Sequence, residues 1–141
     1  MYSSIIPILA WAMVLLICAF AWIKGDRPVR LGVIFVLAAA IAAMAVHLLV
    51  PQEWQPILLL ADDGLLAMGF LLLALRYASV WLGGAMLLQA VQFSLHAYYF
   101  VAERAHDRLY SIINNIDSLG VLTCILFGAV LAWRKRARPA K

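Results

Sequence analysis

Charge is what this chain has least of: only 13% of its 141 residues are Asp, Glu, Lys or Arg, while 67% are hydrophobic and the mean hydropathy is +0.97. Soluble domains are about half apolar and about a quarter charged. The shortage therefore excludes a water-dissolved globular domain and makes the bilayer the solvent. Cysteine is equally scarce. Cys18 and Cys124 both fall inside apolar runs, so neither a disulfide framework nor a CxxC metal site is available. No HExxH or HxxxH spacing sets two ligands on one helical turn. The first apolar run, residues 5–23, lacks a basic segment before it and a small-residue cleavage pattern after it, and is read as a span rather than a signal peptide.

A spanning helix needs roughly 20 apolar residues, and the chain divides into five such runs, at about 5–23, 31–50, 57–75, 80–101 and 116–133. Each break contains residues that cannot rest in hydrocarbon. Lys24-Gly25-Asp26-Arg27-Pro28 ends the first, Pro51-Gln52-Glu53-Trp54-Gln55-Pro56 the second and Arg76-Tyr77-Ala78-Ser79 the third. Glu103 to Asn115 reads as the most polar loop, and a basic tail, 134–141, stops the last run. The fold expected is an all-α integral membrane protein, one polytopic domain with a five-helix bundle.

Basic residues in short loops are retained in the cytoplasm. With five spans, nine Lys and Arg residues fall on one side (Lys24, Arg27, Arg30, Arg76, Arg134, Lys135, Arg136, Arg138, Lys141) and two, Arg104 and Arg108, on the other. The expected orientation puts the N-terminus outside and the C-terminus in the cytoplasm. Topology thus accounts for the net charge of +4, and no nucleic-acid partner is implied. Preference for Arg over Lys, with abundant alanine and leucine, suggests a bacterial inner membrane.

This topology gathers the intramembrane polar residues at one level, the outer half. His47 lies near the outer end of the second span, Asp62 and Asp63 near that of the third, His96 in the outer half of the fourth, and Asn114, Asn115 and Asp117 at the start of the fifth. On the fourth run Gln89, Gln92, His96, Tyr99 and Glu103 recur at steps of three and four, which keeps them on one helical face. His106 and Tyr110 extend the stripe if that helix continues. Such a face belongs against other helices, a ligand or a partner subunit.

Bland roles compete with functional ones. Asp117, following two asparagines, reads as part of a helix N-cap; Gln89 and Gln92 read as interhelical hydrogen-bond partners. Asp62 and Asp63 project about 100° apart and are not expected to share one narrow site. The function expected is that of an accessory, assembly or interaction subunit, packed against other membrane proteins or copies of itself, with a ligand- or partner-binding cluster in the outer leaflet. No motif demands a cofactor, and catalysis is not expected. The alternatives are a metal-dependent enzyme or a proton-linked transporter using His47, His96 and Asp62, Asp63 or Asp117. His47, His96 and Asp63 are the candidate divalent-metal ligands, and His47 with His96 the candidate haem ligands.

Overall fold

A computed structural model describes residues 2–138. It is all-helical among those residues, with α1 at Tyr2–Lys24, α2 at Arg27–Leu49, α3 at Gln55–Tyr77, α4 at Val80–Val101 and α5 at Arg108–Ala137. Lys141 of the basic tail lies outside the described residues. Four helices, α1, α2, α3 and α5, are long and apolar enough to cross a membrane. The other, α4, has 22 residues, about 33 Å at 1.5 Å per residue. Its composition is diluted by Gln89, Gln92 and His96, all members of the polar stripe.

The helix starts follow from capping. Asp26 accepts a hydrogen bond from the Val29 backbone N–H at 3.3 Å, and Pro28 sits in the first turn, where its missing donor costs nothing. Hence α2 begins at Arg27, four residues before the apolar run. The larger difference is at α5, which starts at Arg108 rather than near Ile116. Asp107 accepts from the Tyr110 backbone N–H at 2.8 Å and is the true N-cap. Ser111 and the asparagines have low helix propensity and read as loop, but tertiary contacts hold them helical. Asp117 is therefore almost three turns inside the helix, and its expected capping role is overturned.

Consecutive helices pack on one another, and α5 returns to α1, so the five form a closed ring with an additional α2–α5 contact; α3–α4 and α4–α5 are the most extensive pairings. The two ends of the ring differ. At the end carrying the α1–α2 and α3–α4 turns, the core is dense and apolar: Cys18, Ala21, Val29, Val33, Phe70, Leu73, Trp81, Leu82, Ala85, Ile125 and Ala129. A Cβ on Gly128 would lie 2.7 Å from the Trp81 indole, so α5 has no side chain where that ring crosses it. Arg136 Nη2 donates to the carbonyls of Lys24 and Gly25, the latter at 2.8 Å, tying the end of α5 to that of α1. Arg30 Nε donates to the Trp22 carbonyl at 3.0 Å. These cations thus satisfy helix-terminal carbonyls that have no partner of their own. Cys18 and Cys124 are free thiols.

Candidate functional site

The opposite, polar end is built differently. Asp63 of α3 faces α4, where Gln89 and His96 stand seven residues apart, two turns along one face. Gln89 Nε2 donates to Asp63 Oδ1 at 3.4 Å, and His96 Nδ1 pairs with Asp63 Oδ2. Asp63 and Gln89 are only 8% and 2% exposed, so both are interior polar groups. Because the carboxylate accepts, His96 Nδ1 carries a proton. His96 Nε2 is buried and without a hydrogen-bond partner.

From α5, Asp117 enters the same region at 3% exposure, and its Oδ2 is likewise buried without a partner. One turn earlier, Asn114 Oδ1 accepts from Gln92 Nε2 at 3.2 Å, while the Ser118 hydroxyl donates to the Asn114 carbonyl at 2.8 Å. Nearer the polar end, three aromatic rings stack in a column. Tyr110 lies 5.3 Å from His96 at 28° and 4.0 Å from His106 at 21°. From the sequence, His106 and Tyr110 would extend this face only if α4 continued. Instead α4 stops at Val101, Glu103 takes φ 50°, and the chain reverses, so α5 brings Tyr110 back to His96. Tyr99 is fixed from the same connection, its hydroxyl donating to Asp107 Oδ1 at 2.8 Å. Asp107 is held below the ordinary carboxyl range, first by the Tyr110 backbone N–H and then by the Tyr99 hydroxyl.

Of these residues, Asp63, Gln89, Gln92 and Ser118 border a cavity of about 270 Å³ to which all five helices contribute. Asp62, Asp63, Gln89, Gln92 and Ser118 supply its polar wall; Trp11, Val14, Val36, Ala39, Ala40, Ala43, Leu66 and Leu122 are among its apolar lining. A lateral groove of about 330 Å³ between α2 and α3 shares Ala39, Asp62 and Leu66 with it. Toward the polar end, a hollow of about 360 Å³ includes His96, Tyr99, Glu103, Arg104, His106 and Tyr110.

The anticipated residues separate into groups. Asp63, Gln89 and His96 are joined directly, with Asp117 buried beside them, whereas Gln92 belongs to the adjoining Asn114 pair. Asp62 and Asp63 both line the cavity, contrary to expectation, because it is broad enough to take in a 100° arc of α3. Tyr99 and Glu103 lie at the polar-end hollow. His47 stands apart: it is exposed, with Nδ1 3.3 Å from Gln55 Oε1. It shares no hydrogen bond with His96 or Asp63 among the described residues. No three His, Cys, Asp or Glu side chains there are grouped to hold a metal ion. Glu103 and His106 are spaced three apart, but in the non-helical connection they share no helical turn.

Sequence reading missed Trp11, Ser118 and Asp107. Trp11, Val14, Cys18 and Ala21 follow three-four spacing and mark the inner face of α1; Asn114 and Ser118, four apart, mark that of α5. Comparison with protein-family models, curated proteins and solved structures finds no match to this chain.

Proposed function

We propose that this is a small polytopic membrane protein that binds a small ligand within the half of its bundle remote from the basic end, acting as an accessory or interaction subunit without catalysis of its own. In this reading all five helices span, the basic end faces the cytoplasm, and the membrane is a bacterial inner membrane, so the cavity lies in the outer leaflet. The surrounding apolar surface meets lipid and other membrane subunits or a second copy of the chain.

The observation that carries the reading is the cavity itself. Hollows of about 340 and 360 Å³ also lie toward the basic end, but neither is bordered by all five helices; the cavity of about 270 Å³ is, and it bears two carboxylates in a largely apolar wall. The stripe on α4 turns toward that hollow and its neighbours in the bundle, which favours a ligand over a protein as the occupant. Proton-linked conduction is less well supported. A path needs polar stations on both sides, and beyond the cavity lie Phe70, Leu73, Trp81 and Ile125.

Native mass spectrometry of the full chain released from native membranes in mild detergent tests the reading. A small adduct is expected on the 15.6 kDa chain, absent from Ala40→Phe, which fills the cavity. Each protein at its own unliganded sequence mass, both helical by circular dichroism, would refute it.

A further inference from the structure

On the cavity's polar wall, the hydrogen-bond roles are one-sided. Gln89 Nε2, Gln92 Nε2 and the Ser118 hydroxyl already donate to Asp63, Asn114 Oδ1 and the Asn114 carbonyl. One N–H remains on each glutamine amide, and the acceptors left without a partner outnumber them. Gln89, 2% exposed overall, lines the cavity, and its Oε1 receives no hydrogen bond among the described residues. Asp62 also borders the cavity, and its carboxylate has no hydrogen-bond or ion-pair partner among them. Beside the wall, Asp117 Oδ2 is a further acceptor without a partner when Asp117 is ionised. A carboxylate held in an apolar medium is costly unless a positive charge or donors reach it. The rest of the lining is apolar and includes the Trp11 indole, whose face attracts cations.

Resting on the ligand-binding reading above, we infer that the occupant is a small amphiphilic cation, an ammonium group on an apolar body, with its head toward Asp62 and Gln89 and its body against the alanine and leucine wall. An anion would meet like charge at Asp62 and Asp63. A sugar would leave most of its hydroxyls against apolar side chains. Small pockets for drug-sized molecules begin at about 300 Å³, so this cavity of about 270 Å³ suits a compact amine. The lateral groove meets the cavity at Asp62, Ala39 and Leu66, and the α2 wall there is Ala38, Ala39 and Ala42, which obstruct little, with Phe35 opposite Gly69 at its far end. A molecule already dissolved in the bilayer therefore has a route inward between α2 and α3.

The test uses the full chain in phosphatidylcholine nanodiscs, with empty nanodiscs subtracted, and three probes of one length: n-hexylammonium, 1-hexanol and hexanoate. Calorimetric titration is expected to show saturable hexylammonium binding at least tenfold tighter than hexanol, with none for hexanoate. Asp62→Asn is expected to abolish the preference for hexylammonium and leave hexanol binding unchanged. Equal affinity for hexylammonium and hexanol in the unmodified protein, or a preference untouched by Asp62→Asn, would overturn the cation inference and leave a ligand cavity standing. Absence of saturable binding by every probe to folded protein would overturn the inference, and an adduct by native mass spectrometry would then show whether the broader reading survives.

Discussion

Replacing Asp63 with leucine removes the acceptor that holds two residues of α4 in place. His96 Nδ1 and Gln89 Nε2 both lose their partner, and both sit where water cannot readily compensate. In a soluble core, a buried group so orphaned costs about 1–3 kcal/mol. Within a membrane the unfolded reference state also finds partners, and interhelical hydrogen bonds average only about 0.6 kcal/mol with a maximum near 1.7. The Gln89 contact, at 3.4 Å, is long for a hydrogen bond and belongs at the low end; the histidine–carboxylate pair belongs at the high end. Asp63→Leu should therefore destabilise the bundle by about 1–3 kcal/mol in total. Removing all three polar groups together, as Asp63→Leu/Gln89→Leu/His96→Phe, should recover most of that loss, because no orphaned group remains. Reversible unfolding in mixed micelles with increasing dodecyl sulfate, followed by circular dichroism, measures both quantities. A single variant as stable as the wild type, or a triple variant less stable than the single, would show that these contacts do not hold α3 against α4.

Three further outcomes are expected. Gly128→Ala drives a methyl group to 2.7 Å from the Trp81 ring, and should cost about 1–3 kcal/mol by overpacking, seen as a lower thermal midpoint in detergent. Ala78 caps α3 in the left-handed region at φ 45°, so Ala78→Gly should raise stability by about 0.5–1 kcal/mol through relief of that strain, read in the same unfolding assay. Asp107 favours its ionised form in the folded protein, so its support of the α5 cap is complete above the ordinary carboxyl value of 3.8 and is lost as pH falls through its lower folded value. The Tyr110 amide resonance should shift over that lower range in the wild type and not in Asp107→Asn.

The helical class and the breaks between helices were legible because a long apolar run closed by a polar, proline-bearing turn fits little besides a membrane helix and its end. Placement of Asp63 and His96 at one level was legible too, from alternating helix direction, and Gln89 on the face of His96 from periodicity. The start of α5 was not. Ser111, Asn114 and Asn115 favour loop by propensity, and only the Asp107 cap, the Tyr110 stack and the Gln92–Asn114 bond reveal why the chain is helical there. That error also misassigned Asp117, whose burial depends on lying deep within a helix. His47 shows the converse limit: its sequence depth matches that of His96, but the direction of its side chain is set by the end of α2 and by Gln55. A cavity, finally, is a property of five faces at once, and the small residues of α2 read equally well as close packing.

Cysteine reactivity probes most directly the contrast between the wall of the five-helix cavity and the buried core. In a Cys18→Ala/Cys124→Ala background in nanodiscs, Ala40→Cys places a thiol on the cavity wall and Ala85→Cys places one in the packed core, where Ala85 is 0% exposed. N-ethylmaleimide should modify the first variant and leave the second untouched, with n-hexylammonium slowing the reaction at the first. Equal reactivity at the two positions, or a protected Ala40→Cys beside a reactive Ala85→Cys, would contradict a ligand cavity lined by Ala40.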